Sequence, residues 1–238
     1  MKIDARLVSA VAGTMLLSAA NGAQAGELTA NASVSNNYIW RGLTQTMNEP
    51  AISGGLDFVA DSGAYVGTWV SNVNYGPADI FSYEHDIYFG YAGGDRVTYD
   101  VGYLYYNYDD IAETDFSEIY GTIGFGNFSA SAFLLAHAEA DEGPDQDFGF
   151  GQTYYLSLDY AVPLRSDLTL GLHIGRHAGD FSEAFNGVPG DYTDYGVSLS
   201  KGNFTFTISD TDLDSEVPDG FDNGSIKFVV GFSMDFGL

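Results

Sequence analysis

The sequence predicts an all-β chain: a transmembrane antiparallel up-and-down β-barrel of about 12 strands, of the outer-membrane type. Three observations predict it. Short segments alternate apolar with polar or small side chains at period two, as strands facing lipid on one side and a lumen on the other must. The connections between those segments alternate strictly between long and short. Acidic residues collect in the long connections.

Composition removes other classes. The 238 residues carry 33 acidic and 8 basic side chains, a formal net charge of −25. Nucleic-acid binding by phosphate neutralisation needs clustered Lys and Arg, so it is excluded as a partner class. Disorder goes with few aromatic and β-branched residues, whereas this chain is 45% hydrophobic with 17 Tyr, 17 Phe and 2 Trp. It has no Cys, hence no disulfide framework, thiolate metal site or Cys nucleophile. No cofactor is implied.

The N-terminus reads as an address. Lys2 and Arg6 precede an apolar run from Leu7 to Ala20, and Ala23-Gln24-Ala25 supplies the small residues a signal peptidase reads. The run is too short for the roughly 20 residues a helix needs to cross hydrocarbon. Residues 1–25 are therefore expected to be a Sec signal peptide, with 26–238 forming the barrel domain. That mature chain keeps 6 basic and 32 acidic residues, for a formal charge of −26. It has no later run long enough for a membrane helix. The expected location is the outer membrane of a bacterium.

Strands are expected near 28–40, 51–60, 64–73, 83–91, 97–106, 116–125, 128–137, 153–162, 168–176, 192–200, 204–210 and 225–236. The last is the clearest: Ile226, Phe228, Val230, Phe232, Met234, Phe236 and Leu238 share one face, opposite Ser225, Lys227, Val229, Gly231, Ser233 and Asp235. Leu168 to Ile174, Tyr154 to Val162 and Phe204 to Ile208 alternate in the same way. The faces of the third strand (Tyr65, Gly67, Trp69 against Val66, Thr68, Val70) and of the seventh are ambiguous. The intervening connections run 10, 3, 9, 5, 9, 2, 15, 5, 15, 3 and 14 residues. Short turns on the periplasmic side and long loops outside are the pattern of bacterial outer-membrane barrels. A soluble sandwich mixes its loop lengths and hides its apolar faces in paired sheets. An even strand count closes the sheet and leaves no edge in lipid. By these boundaries 19 of the 32 acids lie in the six long connections, where Arg41 is the single basic residue. Tyr38 and Trp40, and Tyr103, Tyr105, Tyr106 and Tyr108, are expected to form an interfacial aromatic girdle.

Several blocks also resemble a known family. Tyr38-Ile39-Trp40-Arg41-Gly42-Leu43-Thr44-Gln45, Gly63 to Val73, Glu84 to Tyr91, Tyr99 to Tyr108 and Tyr192 to Tyr195 occur in the order seen in the TorF-type porin family of proteobacteria. The resemblance covers most of the mature chain. Asn37 stands where that family often has Asp, and the proline that often follows the tyrosine-rich block is missing after Tyr108. The resemblance implies an outer-membrane channel and brings no substrate with it.

A barrel of about 12 strands lies between the 8 that leave room only for side chains and the 16 to 18 that leave an aqueous channel. A narrow pore for ions and small solutes is expected, constricted by whichever long loop folds inward. Parity places Asp57, Glu84, Asp86, Asp100, Glu118, Asp159, Asp194 and Asp235 in the lumen, with Lys227 and His173, and Arg41 bending in from the first loop. Such an excess of carboxylates favours cations. The alternative is that these acids pair with Tyr hydroxyls and only keep a polar lumen hydrated. Other expected partners are outer-membrane lipid, lipopolysaccharide and the barrel-insertion machinery, which reads an alternating C-terminal strand.

Three sharper constellations compete. Asp210-Thr211-Asp212-Leu213-Asp214 begins like a calcium loop, but Ser215 replaces the turn glycine and Phe221 the bidentate Glu. His173 and His177 stand about 13 Å apart on a strand and cannot share a metal. Ser157 and His173, on adjacent strands, suggest a barrel-wall hydrolase; without an orienting group or oxyanion hole the chain reads as a non-enzyme. A non-conducting structural barrel that binds divalent cations in its acidic loops, and a soluble secreted sandwich, are the remaining alternatives.

Overall fold

The computed structural model describes residues 26–76, 82–108, 113–165, 167–187, 190–214 and 221–238. The expected signal peptide lies outside the described residues. Twelve strands close one antiparallel barrel: β1 (Glu27–Ser35), β4 (Ala51–Val59), β5 (Ala64–Asn72), β6 (Tyr83–Gly94), β7 (Val97–Asn107), β8 (Phe116–Phe125), β9 (Phe128–Ala138), β10 (Tyr154–Pro163), β11 (Leu168–Ala178), β12 (Tyr192–Lys201), β13 (Phe204–Thr211) and β14 (Lys227–Gly237). Each pairs with its sequence neighbour, and β1 pairs with β14 to close the ring, from Thr29 opposite Gly237 to Ser35 opposite Gly231. No edge is left to add a foreign strand.

The alternation of long and short connections holds. Residues 36–50, 73–82, 108–115, 139–153, 179–191 and 212–226 connect strands at one end; 60–63, 95–96, 126–127, 164–167 and 202–203 turn at the other. The exterior is an apolar belt with Ile52, Phe89, Val101, Ile123, Leu158, Phe228 and Val230 all exposed. The third strand resolves with Tyr65 inward and Val66 and Val70 outward; the seventh has Phe133 inward and a bulge that leaves Ala136 unpaired opposite Ser117 and Glu118.

One boundary differs by five residues, and it matters for the lumen. The first strand ends at Ser35 rather than at residue 40. The chain then turns into the barrel as a miniature hairpin, β2 (Ile39–Trp40) and β3 (Leu43–Thr44), with Trp40 opposite Leu43. Its two corner residues, Arg41 (φ 50°) and Gly42 (φ 83°), both have positive φ, the signature of the type I′ corner that suits a two-residue hairpin. A Cβ on Gly42 would lie 2.6 Å from Asp194 Cβ and 2.7 Å from Thr211 Cγ2, so only glycine lets the tip abut the wall.

The girdle is corrected accordingly. Tyr38 and Trp40 are buried inside the barrel with the hairpin, and Tyr106 and Tyr108 face inward to meet them. A short helix in the fifth long connection, α1 (Asp180–Asn186), adds Phe181 and Phe185 to the same cluster, with Phe185 4.9 Å and Phe181 5.1 Å from the Phe116 ring. Tyr38, Trp40, Tyr106, Tyr108, Phe116, Leu135, Phe148 and Phe181 thus form a core at the long-connection end, where porin-like parity predicts only a polar lining. Outward aromatics also sit near the short turns: Tyr91 stacks on Tyr99 at 6.2 Å, and Phe128 lies tilted against Tyr160 at 4.2 Å.

Candidate functional site

The site is the barrel interior, and the residues that alternation turned inward meet there in three groups. The first lies under the hairpin. Arg41 Nη2 donates to Glu118 Oε2 at 2.6 Å, and its Nη1 is 3.2 Å from His177 Nε2. The guanidinium carbon sits 4.1 Å from the Trp40 ring centroid, 4.6 Å from Tyr155 and 5.1 Å from Phe133. Arg41 therefore does bend inward, and it is buried. Burial pulls its pKa down, but the adjacent Glu118 carboxylate more than offsets this, so the guanidinium stays charged. Tyr106 donates a second hydrogen bond to Glu118 Oε2 at 3.1 Å.

Glu84 accepts from the hydroxyls of Tyr38 and Tyr108, both at 2.7 Å. Asp86, two residues along the same strand, is 2% exposed, and its Oδ1 has no hydrogen-bond partner among the described residues. Buried polar atoms are normally paired, so this oxygen calls for an explanation. Polar bonds also hold the hairpin to the loops: Thr44 N donates to Asn223 Oδ1 at 3.2 Å, Tyr75 Oη to Gln45 Oε1 at 2.5 Å, and Asn74 N to the Gln45 carbonyl at 2.8 Å.

The second group lies at mid-height on β10 to β12. His173 bridges two carboxylates, Nδ1 to Asp159 Oδ1 at 2.7 Å and Nε2 to Asp194 Oδ1 at 2.8 Å, and Tyr155 Oη donates to Asp194 at 3.1 and 3.2 Å. A Cβ on Gly175 would lie 2.5 Å from Asp194 Oδ2, so the bare backbone there leaves room for the cluster. This arrangement corrects the Ser157 and His173 pairing. The ladder sets Ser157 opposite Gly175 and Asp159 opposite His173, one two-residue step from the expected register. Ser157 Oγ points to Asp159 Oδ2 at 3.4 Å, and both ring nitrogens of His173 are engaged by carboxylates. No nucleophile and base pair is assembled between them.

The third group lines the short-turn half. Asp57 accepts from Tyr88 and from Asn31 Nδ2, the latter at 3.4 Å; Asp100 accepts from Tyr65 at 2.5 Å, and Tyr65 in turn meets Tyr120. Asp235, opposite Asn31 in the ladder, is exposed at that mouth. Lys227, at the opposite end, donates to the backbone carbonyls of Asp222 and Ser225.

No three of His, Asp and Glu converge on one metal position among the described residues. In the calcium-like segment, Asp212 Oδ1 accepts from Thr193 N at 2.7 Å and residues 215–220 lie outside the described residues. The parity argument missed the interior aromatics that partner the acids, Tyr65, Tyr88, Tyr120 and Tyr155, and it missed His177. The sequence signal for the hairpin was present: an X-Gly pair, Arg41-Gly42, between apolar residues.

A closed twelve-stranded antiparallel barrel, apolar outside and acidic within, defines an outer-membrane-type β-barrel whose long-connection end is filled by its own first loop. The chain belongs to the family described as "Bacterial protein of unknown function (Gcw_chp)", whose profile matches residues 19–230. No curated relative matches the sequence. Among solved structures, the KdgM porin is similar with a TM-score of 0.52 and 9% identity over 88% of this chain and 99% of that one. Outer membrane phospholipase A from Escherichia coli matches with a TM-score of 0.40 and 11% identity, over 88% of this chain and 92% of that one. OccK5 (OpdH) of Pseudomonas aeruginosa matches with a TM-score of 0.38 and 13% identity, over 91% of this chain and 68% of that one. At such identities the KdgM likeness shows the fold alone.

Proposed function

We propose that this chain is an outer-membrane porin-like channel for small solutes and ions, cation-preferring, and constricted by the inward hairpin of residues 36–50. The observation that carries the reading is the sign of the interior. Asp57, Glu84, Asp86, Asp100, Glu118, Asp159, Asp194 and Asp235 face Arg41, Lys227 and His173. Tyr hydroxyls bond several of these acids but bring no charge to cancel theirs, so the lumen keeps its excess of carboxylates. A confined acidic passage concentrates cations and repels anions.

Fold likeness to the KdgM porin and the TorF-type resemblance agree with this reading. Export by the signal peptide, insertion through the barrel machinery and contact with lipopolysaccharide belong to the same proposal. Planar-bilayer conductance of the purified protein tests it, with cation selectivity expected. The filled long-connection end favours one other reading, a non-conducting structural barrel, and stable bilayers with inserted protein and no channel events would establish that reading instead. A hydrolase role gains no support from the His173 geometry.

A further inference from the structure

We propose that the pocket around Glu118 is a binding site for guanidinium-bearing, arginine-like cations, held in this structure by the chain's own Arg41. That a solute meets this pocket on its way through the barrel rests on the channel reading above; the binding chemistry does not.

Apart from the Trp40 ring, the pocket is built by the wall and not by the hairpin. Glu118 comes from β8, Phe133 from β9, Tyr155 from β10 and His177 from β11, four adjacent hydrogen-bonded strands, with the β-bulge of the β8–β9 ladder at Glu118. Their side chains offer what a planar delocalised cation needs: a carboxylate at 2.6 Å, an imidazole nitrogen at 3.2 Å from the second amino group, and ring faces at 4.6 and 5.1 Å. Cation and π-face attraction strengthens when the partners are desolvated, as they are here. An ammonium is a point charge and does not match this fork-and-face arrangement equally well.

A second observation points the same way. Glu84, Asp86 and Glu118 lie at one end of the lumen on β6 and β8, and among the described residues the one ion pair these three acids make is Arg41 with Glu118. Glu84 is satisfied by two phenols, but Asp86 Oδ1 is buried without a hydrogen-bond partner among the described residues. A ligand that carries a second cationic group beside its guanidinium supplies what Asp86 lacks. Arg41 is held on the hairpin tip with a positive φ, a conformation that a non-glycine residue keeps only when its surroundings enforce it. A tethered guanidinium competes with free ligand at an effective concentration on the order of millimolar, so the pocket is best probed with the tether removed.

The test uses the full chain refolded in detergent as Arg41→Ala, with guanidinium, agmatine and the neutral isostere urea at millimolar concentration. The expected result is a melting temperature raised by roughly 3–6 °C by each cation at a tenfold excess over its own Kd, reached by agmatine at the lower concentration, and unchanged by urea. In the double variant Arg41→Ala, Glu118→Gln the shift is lost. Where Arg41→Ala fails to fold in buffer, the readout is refolding yield by heat-modifiable gel mobility, which the two cations restore and urea does not. Equal effects of urea and guanidinium, a shift that survives Glu118→Gln, or no rescue of yield by either cation overturns the proposal. Rescue by the cations together with absent conductance in both wild type and Arg41→Ala overturns the channel reading and leaves the binding site standing.

Discussion

Arg41 is a permanent cation with 4% of its side chain exposed, against a Glu118 carboxylate with 3% exposed. Removing one partner of such a pair leaves an uncompensated buried charge, which costs about 3–5 kcal/mol. Arg41→Ala is therefore expected to lose stability on that scale, and Arg41→Ala with Glu118→Gln to recover part of it, because the double variant leaves no orphan charge. Denaturant unfolding of the detergent-refolded proteins, followed by tryptophan fluorescence, checks both; a double variant no more stable than the single one contradicts the assignment. The same arithmetic explains why Asp86 stands out among the interior acids, since Glu84, Asp57, Asp100, Asp159 and Asp194 all have named donors. It also shows where the sequence was silent. Alternation says which way a side chain points, and it placed all of these acids inward. It does not say which inward groups meet across strands, because that depends on register, and a single two-residue step separated Ser157 from His173.

At the scale of elements, strands were legible and loops were not. A strand in lipid carries its signal in its own period, so eleven of the twelve barrel strands begin and end within two residues of expectation or run on up to three residues into a turn. The hairpin β2 and β3 and the helix α1 owe their positions to packing against distant parts of the chain: Trp40 meets Phe116 of β8 at 6.2 Å and Phe185 of α1 at 6.2 Å. Local pattern carries no record of those contacts. Gly42→Ala tests the hairpin as an element. A methyl group there meets Asp194 and Thr211, and the positive φ adds strain, so the tip is expected to back out of the wall while the β1 and β4 ladder, which begins below it at Ser35 and Ala51, stays intact. Larger single-channel conductance with unchanged heat-modifiable mobility is the expected outcome; unchanged conductance contradicts the hairpin as the constriction. Deleting Phe236 to Leu238 acts on closure instead. Phe236 and Gly237 pair with Ala30 and Thr29, and Leu238 N donates to the Leu28 carbonyl at 3.0 Å. Loss of these is expected to lower the yield of inserted barrel in membrane fractions, and a yield equal to wild type contradicts that role.

At the scale of the whole molecule, the net charge of −25 divides between two surfaces, the long connections and the lumen, around an exterior belt of apolar side chains. That division follows from the two-residue period of strands and the strict alternation of connection lengths, and the proposed cation-preferring channel rests on it. The most direct test of the account is the reversal potential of the purified wild-type protein in a planar bilayer under a potassium chloride gradient. The account predicts a potential with the sign of potassium preference. A potential of the opposite sign, with chloride the more permeant ion, would contradict it.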